Sequence, residues 1–264
     1  MESVLAQPGT GVRFDWGISG AAELSRTCAV LVVCDVLSFS TAVCVAVERG
    51  MRVYPFPWEA QAEEYASRIG AVAAVEHGSA TAEHPWSSSP ADLMRAPAVP
   101  DLVLPSPSGA AICATAEATG AHVVVACLRN ASAVAEWLIA SKYGTPSRPI
   151  GVIAVGEQWP DGSLRPCVED LVGAAAVLEE LSGLSGELDG EFSVEAELVA
   201  MVGEMDLAEA VRGCVSAQEL RARGYAEDVQ IAAKRDVSSL VPVLRQGAFS
   251  AAPGPDEPAS FVPA

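Results

Sequence analysis

Hydrophobic positions between residues 28 and 155 fall into short valine-rich runs separated by longer alanine-rich segments. Short runs rich in β-branched residues predict strands, and the longer segments predict helices. The predicted strands cover residues 28–34, 51–54, 71–75, 102–104, 123–127 and 150–155. The predicted helices cover residues 40–49, 59–68, 109–119 and 131–141. This half of the chain therefore alternates strand and helix as an α/β protein does.

The second half of the chain has a mainly helical pattern. Helices are predicted at 166–181, within 191–212, at 216–223 and at 226–233, and residues 237–244 predict a strand that returns to the sheet. Continuously apolar strands are typical of a sheet covered by helices on both faces. The sequence thus predicts a three-layer α/β/α sandwich with a mostly parallel or mixed sheet. We expect one domain over residues 1–264, ending in a flexible proline-rich and alanine-rich tail at 251–264.

Composition narrows the classes of function. Half of the 264 residues are hydrophobic, and 16 basic against 34 acidic residues give a net charge of −18. That charge disfavours nucleic-acid binding, which depends on cations that neutralise phosphates. No apolar stretch approaches the ~18 residues of a membrane span, and the first twenty residues lack the pattern of a secretion signal. We therefore expect a cytoplasmic protein that binds neither nucleic acid nor membrane.

Seven cysteines are spread over the chain without a Cys-x-x-Cys pair. This spacing argues against a zinc site, because zinc ligands usually come in closely spaced pairs. Most of these cysteines lie in alanine-rich and valine-rich stretches. We predict that they are small buried hydrophobic residues.

Ligands of parallel α/β sheets bind beyond the carboxyl ends of the strands. Asp35 directly follows a predicted strand, and Ser40 and Thr41 precede or begin a helix. Asp35 is placed to hold a metal ion. The alternative is an ordinary turn residue with Ser40 capping the helix.

Two further strand ends carry polar groups. Ser106, Ser108 and Gly109 precede a helix whose free N–H groups would suit a phosphate, although such a sequence also serves helix capping alone. Glu169 and Asp170 lie in the first turn of another helix, where acids also stabilise the helix dipole. Together with Glu76, after a third strand, and Asp35, they form an oxygen-rich set that suits Mg²⁺ better than zinc.

Several common catalytic motifs are absent from the sequence. Leu37 stands where an aspartyl-phosphate phosphatase has its second Asp, no Cys is followed by Arg six residues later, and Glu76 precedes His77 where a histidine phosphatase has Arg. The Walker, dinucleotide-binding and G-x-S-x-G motifs are also absent. Of the catalytic chemistries considered, metal-assisted chemistry with carboxylate ligands is the one that the sequence still allows.

The motifs taken in order resemble the 2-phosphosulfolactate phosphatase family. The segment from Asp35 to Thr41 resembles its Asp-Val-Leu-Arg-Ala-Ser/Thr-Thr segment, and Glu76-His77-Gly78 resembles Gly-Glu-Arg-Gly. Ser88-Ser89-Pro90 resembles the family's Gly-Asn-Ser-Pro, and residues 106–110 resemble its Thr-Thr-Asn-Gly-Thr. Residues 127–131 resemble its Phe-Leu-Asn-Ala segment, and Glu169-Asp170 resembles its Glu-Asp helix. Residues 224–228 and 236–244 resemble its C-terminal part. The resemblance covers residues 30–247.

This resemblance implies an Mg²⁺-dependent phosphatase that hydrolyses the phosphate ester of a three-carbon sulfonated acid in the coenzyme M pathway. The chain departs from the family where Ser38 and His77 replace arginines and where Ser108-Gly109-Ala110 replaces Asn-Gly-Thr. Because two anion-binding cations are missing, we expect a substrate with fewer anionic groups than phosphosulfolactate.

The predicted site follows from both arguments. Asp35, Glu169 and Asp170 are predicted to be catalytic, with Mg²⁺ ligands drawn from these three and Glu76. The predicted substrate-binding residues are Ser40, Thr41, Ser106, Ser108, Gly109, Arg129, Asn130 and Arg165. The nucleophile is either a water activated by the metal or Asp35 itself.

Two other interpretations fit the same sequence. One is a catalytically altered homologue that binds a phosphorylated metabolite or a protein partner, and another is a lyase or hydrolase that uses the same metal on an unphosphorylated acid. The expected partner is a small phosphorylated acid, and self-association into a homo-oligomer is left open.

Overall fold

The computed structural model describes residues 3–253, which form eleven strands and eleven α-helices. The strands are β1 (Val12–Trp16), β2 (Val30–Cys34), β3 (Arg52–Phe56), β4 (Val72–Ala73), β5 (Asp101–Pro105), β6 (His122–Ala126), β7 (Ile150–Ala154), β8 (Glu157–Gln158), β9 (Leu164–Arg165), β10 (Pro242–Arg245) and β11 (Ala248–Ala251). The helices are α1 (Gly17–Leu24), α2 (Phe39–Glu48), α3 (Ala62–Ile69), α4 (Pro90–Arg95), α5 (Gly109–Ala118), α6 (Ala131–Ala140), α7 (Val168–Gly183), α8 (Val194–Val202), α9 (Leu207–Gly213), α10 (Val215–Ala222) and α11 (Ala226–Ala232).

Nine of these strands form one mixed sheet in the order β1-β7-β2-β6-β10-β11-β3-β5-β4. The first four strands pair in parallel, and so do the last three. The antiparallel hairpin of β10 and β11 joins the two groups. The short hairpin of β8 and β9 stands apart from the main sheet. The prediction of a mostly parallel or mixed sheet is confirmed.

Helices cover both faces of the sheet because its strands are apolar on both sides. On one face, Val32 and Val152 pack with buried residues of α6 to α9, such as Leu178. On the other, Leu31 and Val33 pack with residues of α1, α2 and α5. Burying one such side chain stabilises the fold by about 1.5–3 kcal/mol. The two cores make the three-layer α/β/α sandwich that the pattern predicted.

The sequence pattern missed β1 and α1, and for β1 the reason lies in its two charged residues. Arg13 and Asp15 interrupt the apolar pattern of β1, yet Arg13 is buried. Its guanidinium donates to Ala6 O at 2.7 Å and to Thr27 Oγ1 at 2.8 Å. β1 forms the edge of the sheet beside β7, where a buried but hydrogen-bonded arginine is tolerated.

Two predicted strands lose more than half of their length in the structure. Of residues 71–75, only 72 and 73 belong to β4, because Val75 leaves the sheet and pairs with the segment at Ser87. Of residues 237–244, only the last three belong to β10, because Ser238 N–H donates to Arg129 O instead of to the sheet. Helix α4, the hairpin of β8 and β9, and β11 were not predicted.

All seven cysteines are buried and unpaired, as predicted. The predicted tail at 251–264 overlaps the last residue of β11, and its residues 254–264 lie outside the described part of the chain. No helix within residues 3–253 is long and apolar enough to cross a membrane.

Candidate functional site

A cleft of about 410 Å³ opens where the turn after β2 meets the turn after β5. The loop after β4, the β8–β9 hairpin and helix α10 complete its walls. Its polar lining residues are Asp35, Ser38, Glu76, His77, Ser88, Ser106, Ser108, Glu157, Arg165, Ser216, Glu219 and Arg223. The cleft therefore combines carboxylates, hydroxyls and two arginines.

Asp35 enters the cleft from the carboxyl end of β2. The pKa of Asp35 is raised to about 7, first by burial and then by the nearby charges of Glu157 and Glu169, while a backbone hydrogen bond from Phe39 lowers it. Burial and Glu169 likewise raise the pKa of Glu157, which Arg165 partly offsets. Like-charged carboxylates close enough to shift one another favour either a shared proton or a bound cation.

Ser40 and Thr41 shape the Asp35 turn from inside the protein. Ser40 Oγ accepts the Asp35 N–H at 3.0 Å and donates to Val33 O at 3.0 Å. Thr41 Oγ1 donates to Val36 O at 2.8 Å. Both residues are fully buried and lie outside the cleft lining, whereas the sequence predicted that they contact the substrate. Their hydroxyls fix the backbone that presents Asp35.

Asp170 is buried behind the cleft and ties two strand ends together. Its Oδ1 accepts the Val36 N–H and its Oδ2 accepts the Gly156 N–H, each at 2.8 Å. Burial raises its pKa well above the usual value, with further contributions from Asp35 and Glu169. Because both oxygens face backbone donors, Asp170 acts on the cleft by holding the turns after β2 and β7.

Glu169 lies beside Asp170 in the first turn of α7 and is 3% exposed. Its charge raises the pKa of Asp35 and, after burial, that of Cys214 to about 12. Glu169 does not line the cleft. Its influence on Asp35 is therefore electrostatic.

The start of α5 meets Asp35 across the cleft floor. A Cβ at Gly109 would lie 2.7 Å from Asp35 Oδ2 and 2.5 Å from Phe39 Cδ1, so this close approach requires glycine. The Gly109 N–H donates to Ser106 Oγ at 3.0 Å and the Ala110 N–H to Ser106 O at 3.3 Å. Two backbone donors expected to bind phosphate are therefore used within the turn.

The cations of the cleft differ from the predicted pair. Arg165 lines it and lies 3.8 Å from Glu219, and Arg223 from the end of α10 lines it as well. Arg129, by contrast, is buried elsewhere and forms a 2.9 Å ion pair with Glu48. Asn130 accepts the Cys127 N–H at 3.0 Å inside the turn after β6. Neither of these two predicted substrate contacts lines the cleft.

Sequence reasoning missed Glu157, Ser216 and Arg223 as lining residues. Glu157 follows β7, so the rule that located Asp35 also applied to it. Arg223 and Ser216 lie at the two ends of a helix whose packing brings them to the cleft, and no local pattern marks them.

The carboxylates do not form a preformed metal cage. Within residues 3–253, no three His, Cys, Asp or Glu side chains are grouped to hold a metal ion. The predicted four-carboxylate set therefore does not assemble, since Asp170 faces backbone donors and Glu169 lies behind the lining. Mg²⁺ is usually held by one or two carboxylates together with substrate phosphate and water. Asp35 with Glu76 or Glu157 fits that mode.

Comparison with known proteins identifies relatives of this sequence. A family model described as 2-phosphosulpholactate phosphatase matches residues 19–247. The 2-phosphosulfolactate phosphatase of Methanothermobacter thermautotrophicus is 29% identical over 216 residues, which cover 82% of this chain and 87% of the relative. A probable 2-phosphosulfolactate phosphatase of Deinococcus radiodurans is 30% identical over 158 residues, covering 60% of this chain and 59% of the relative. The resemblance drawn from the motifs is confirmed.

Proposed function

Since the chain belongs to the 2-phosphosulpholactate phosphatase family, we propose that it is an Mg²⁺-dependent phosphatase acting on the phosphate ester of a small hydroxy acid. Family membership supports phosphoric monoester hydrolysis as the reaction class. The proposal depends on one observation: Asp35 and Glu157 line the same cleft as Arg165 and Arg223. Phosphate-ester hydrolysis needs charge neutralisation, and this arrangement offers both metal ligands and fixed cations.

The residues divide into two roles under this proposal. Asp35, with Glu76 or Glu157, would hold Mg²⁺, which when bound neutralises charge on the phosphoryl group. Arg165, Arg223 and the hydroxyls of Ser106 and Ser108 would bind the phosphate and carboxylate of the substrate. Burial, followed by repulsion from Glu157 and Glu169, raises the pKa of Asp35, and a buried carboxylate beside like charges supports a cation at this place.

The lining also bears on substrate choice. Ser38 and His77 line the cleft at the positions where the resembled family has arginines. A phosphosulfolactate carries a phosphate, a carboxylate and a permanently charged sulfonate on three carbons. With two guanidiniums fewer, this cleft should favour a substrate with fewer anionic groups, such as a phospholactate or a phosphoglycerate.

The same two replacements favour a second candidate, a homologue that binds a phosphorylated metabolite without turning it over. The two candidates differ in phosphate release, since both would bind the ligand but only the phosphatase would hydrolyse it.

The test is a measurement of kcat/KM for phosphosulfolactate, 2-phospholactate and phosphoglycerates in the wild-type protein and in Ser38→Arg. We expect the wild type to prefer one of the less anionic substrates and Ser38→Arg to shift the ranking toward phosphosulfolactate. A clear wild-type preference for phosphosulfolactate would refute the change in specificity. Binding without phosphate release from any of these esters would favour the second candidate.

A further inference from the structure

Three side chains, Ser88, His77 and Asp228, form a hydrogen-bonded chain that ends at the cleft. Ser88 and His77 line the cleft, whereas the Asp228 side chain on α11 is 1% exposed. Ser88 Oγ lies 2.8 Å from His77 Nδ1. His77 Nε2 lies 3.0 Å from Asp228 Oδ2. The roles assigned above use none of these groups.

The partners of Asp228 decide the direction of the hydrogen bonds. Its Oδ1 accepts from Ser89 Oγ at 2.7 Å and from the Ala91 N–H at 2.8 Å. As a carboxylate, Asp228 accepts from His77 through Oδ2, so Nε2 carries the proton. In the neutral imidazole, Nδ1 then accepts from the Ser88 hydroxyl. This is the order of groups that activates a serine: the hydroxyl donates to a histidine that a buried carboxylate orients.

The surrounding backbone and rings hold this arrangement in place. The Ser88 N–H donates to Val75 O at 2.9 Å, which fixes Ser88 beside the His77 loop. The Tyr225 ring packs edge-on to His77 with ring centres 5.0 Å apart. A Cβ at Gly78 would overlap Tyr225 Oη, so glycine is needed next to His77.

We propose that Ser88 is the nucleophile of the phosphatase reaction and that His77, oriented by Asp228, is its general base, an inference that rests on the proposed function. Ser88 Oγ forms a bond to phosphorus while the bond from phosphorus to the ester oxygen breaks. The Ser88 proton moves to His77 Nδ1 and from there to the departing alkoxide. The products of this half are the hydroxy acid and a phosphoserine at position 88.

The second half returns the enzyme to its starting state. A water molecule bonds to phosphorus, the bond from phosphorus to Ser88 Oγ breaks, and inorganic phosphate leaves. The proton lost by the water passes through His77 back to Ser88 Oγ. No oxidant, reductant or further reactant is required. Ser88 thereby takes the place of the two nucleophiles suggested by the sequence, water and Asp35.

The experiment is acid quenching during turnover of 2-phospholactate, followed by peptide mass spectrometry of position 88. It uses the full chain as wild type, Ser88→Ala and His77→Gln, with His84→Gln as the matched control because His84 lies outside the cleft lining. We expect phosphoserine at position 88 in the wild type and none in Ser88→Ala. Turnover should fall about 100-fold or more in Ser88→Ala and in His77→Gln, and stay unchanged in His84→Gln.

Each result has a distinct meaning. Phosphate release by the wild type without phosphoserine at position 88 overturns the nucleophile and leaves the proposed function standing. Near-normal turnover by Ser88→Ala overturns it in the same way. Failure of the wild type to release phosphate from any tested ester overturns the proposed function and this inference together.

Discussion

At the scale of single residues, the cleft is shaped by carboxylates held where they repel one another. Asp35 has a pKa of about 7 because it is buried close to Glu157 and Glu169. Natural proteins keep such groups at functional sites at the expense of stability. The sequence located Asp35 because it ends an apolar run. It could not show that Asp170 would be engaged by two backbone N–H groups, since those donors come from distant turns.

Replacing Asp35 by Asn should therefore stabilise the metal-free protein. At about pH 8 the substitution removes a charge from the cluster and keeps a side-chain oxygen that can accept the Phe39 N–H. We expect Tm to rise by roughly 2–4 °C, which corresponds to about 1 kcal/mol for a protein of this size. Thermal unfolding of both proteins in the presence of a chelator measures this change in Tm. A fall in Tm would show that Asp35 stabilises the fold instead of straining it.

His122, which lies away from the cleft, should make the free energy of unfolding depend on pH. Burial, followed by the charges of Arg148 and Arg245, lowers its pKa in the folded protein. As pH falls below about 6.5, the unfolded chain binds a proton at His122 before the folded protein does, so the free energy of unfolding decreases. Above that pH the contribution is fully present.

The measurement is denaturant unfolding of wild type and His122→Gln at about pH 7.5 and pH 5.5. The wild type should lose more stability between these two values than the variant does. Because other titrating groups are shared, the difference between the proteins isolates His122. Equal losses in both would contradict the lowered pKa.

At the scale of elements, the turns after β2 and β5 make the site because their backbones come very close. Gly109 begins α5 against Asp35 and Phe39. The sequence predicted both turns and both helices, since each follows a strongly apolar strand. Of the two predicted cations, only Arg165 lines the cleft. Arg129 lies in an apolar turn that packs inward, and Arg223, which was not predicted, reaches the cleft because tertiary packing places α10 there.

Gly109→Ala should disrupt this junction. Its Cβ would stand less than 3 Å from both Asp35 Oδ2 and Phe39 Cδ1, so one of the two turns must move. We expect turnover to fall about tenfold or more and stability to fall by about 1–3 kcal/mol, the usual cost of overpacking. Steady-state kinetics and denaturant unfolding give both values.

Gly183→Ala is the matched control, because nothing lies within 4 Å of a Cβ at the end of α7. It should leave turnover unchanged. If Gly109→Ala behaves like this control, the close approach of the two turns is not needed by the site.

At the scale of the whole molecule, a net charge of −18 opposes the arrival of an anionic substrate. The arginines of the cleft act over a few ångströms, whereas the total charge acts over the screening length of the solution. That length falls from about 30 Å at 0.01 M salt to about 8 Å at 0.15 M. The net charge follows from the composition alone, whereas the fold was needed to show that both arginines line the cleft.

Raising the salt concentration over that range should therefore increase kcat/KM for 2-phospholactate by about twofold or more, because repulsion of the substrate is screened. A less charged ester such as phenyl phosphate should respond less. A decrease of kcat/KM for 2-phospholactate with added salt would mean that local attraction at the cleft outweighs repulsion by the net charge of the protein.

We propose that phosphate release at the cleft of this family member depends on Asp35 and Mg²⁺. The most direct test of this dependence is release of inorganic phosphate from 2-phospholactate by wild type and Asp35→Asn, each with Mg²⁺ and with a chelator. We expect release only by the wild type with Mg²⁺, and a loss of about 100-fold or more in the other three samples. Equal release by wild type and Asp35→Asn, or release unaffected by the chelator, would contradict the account.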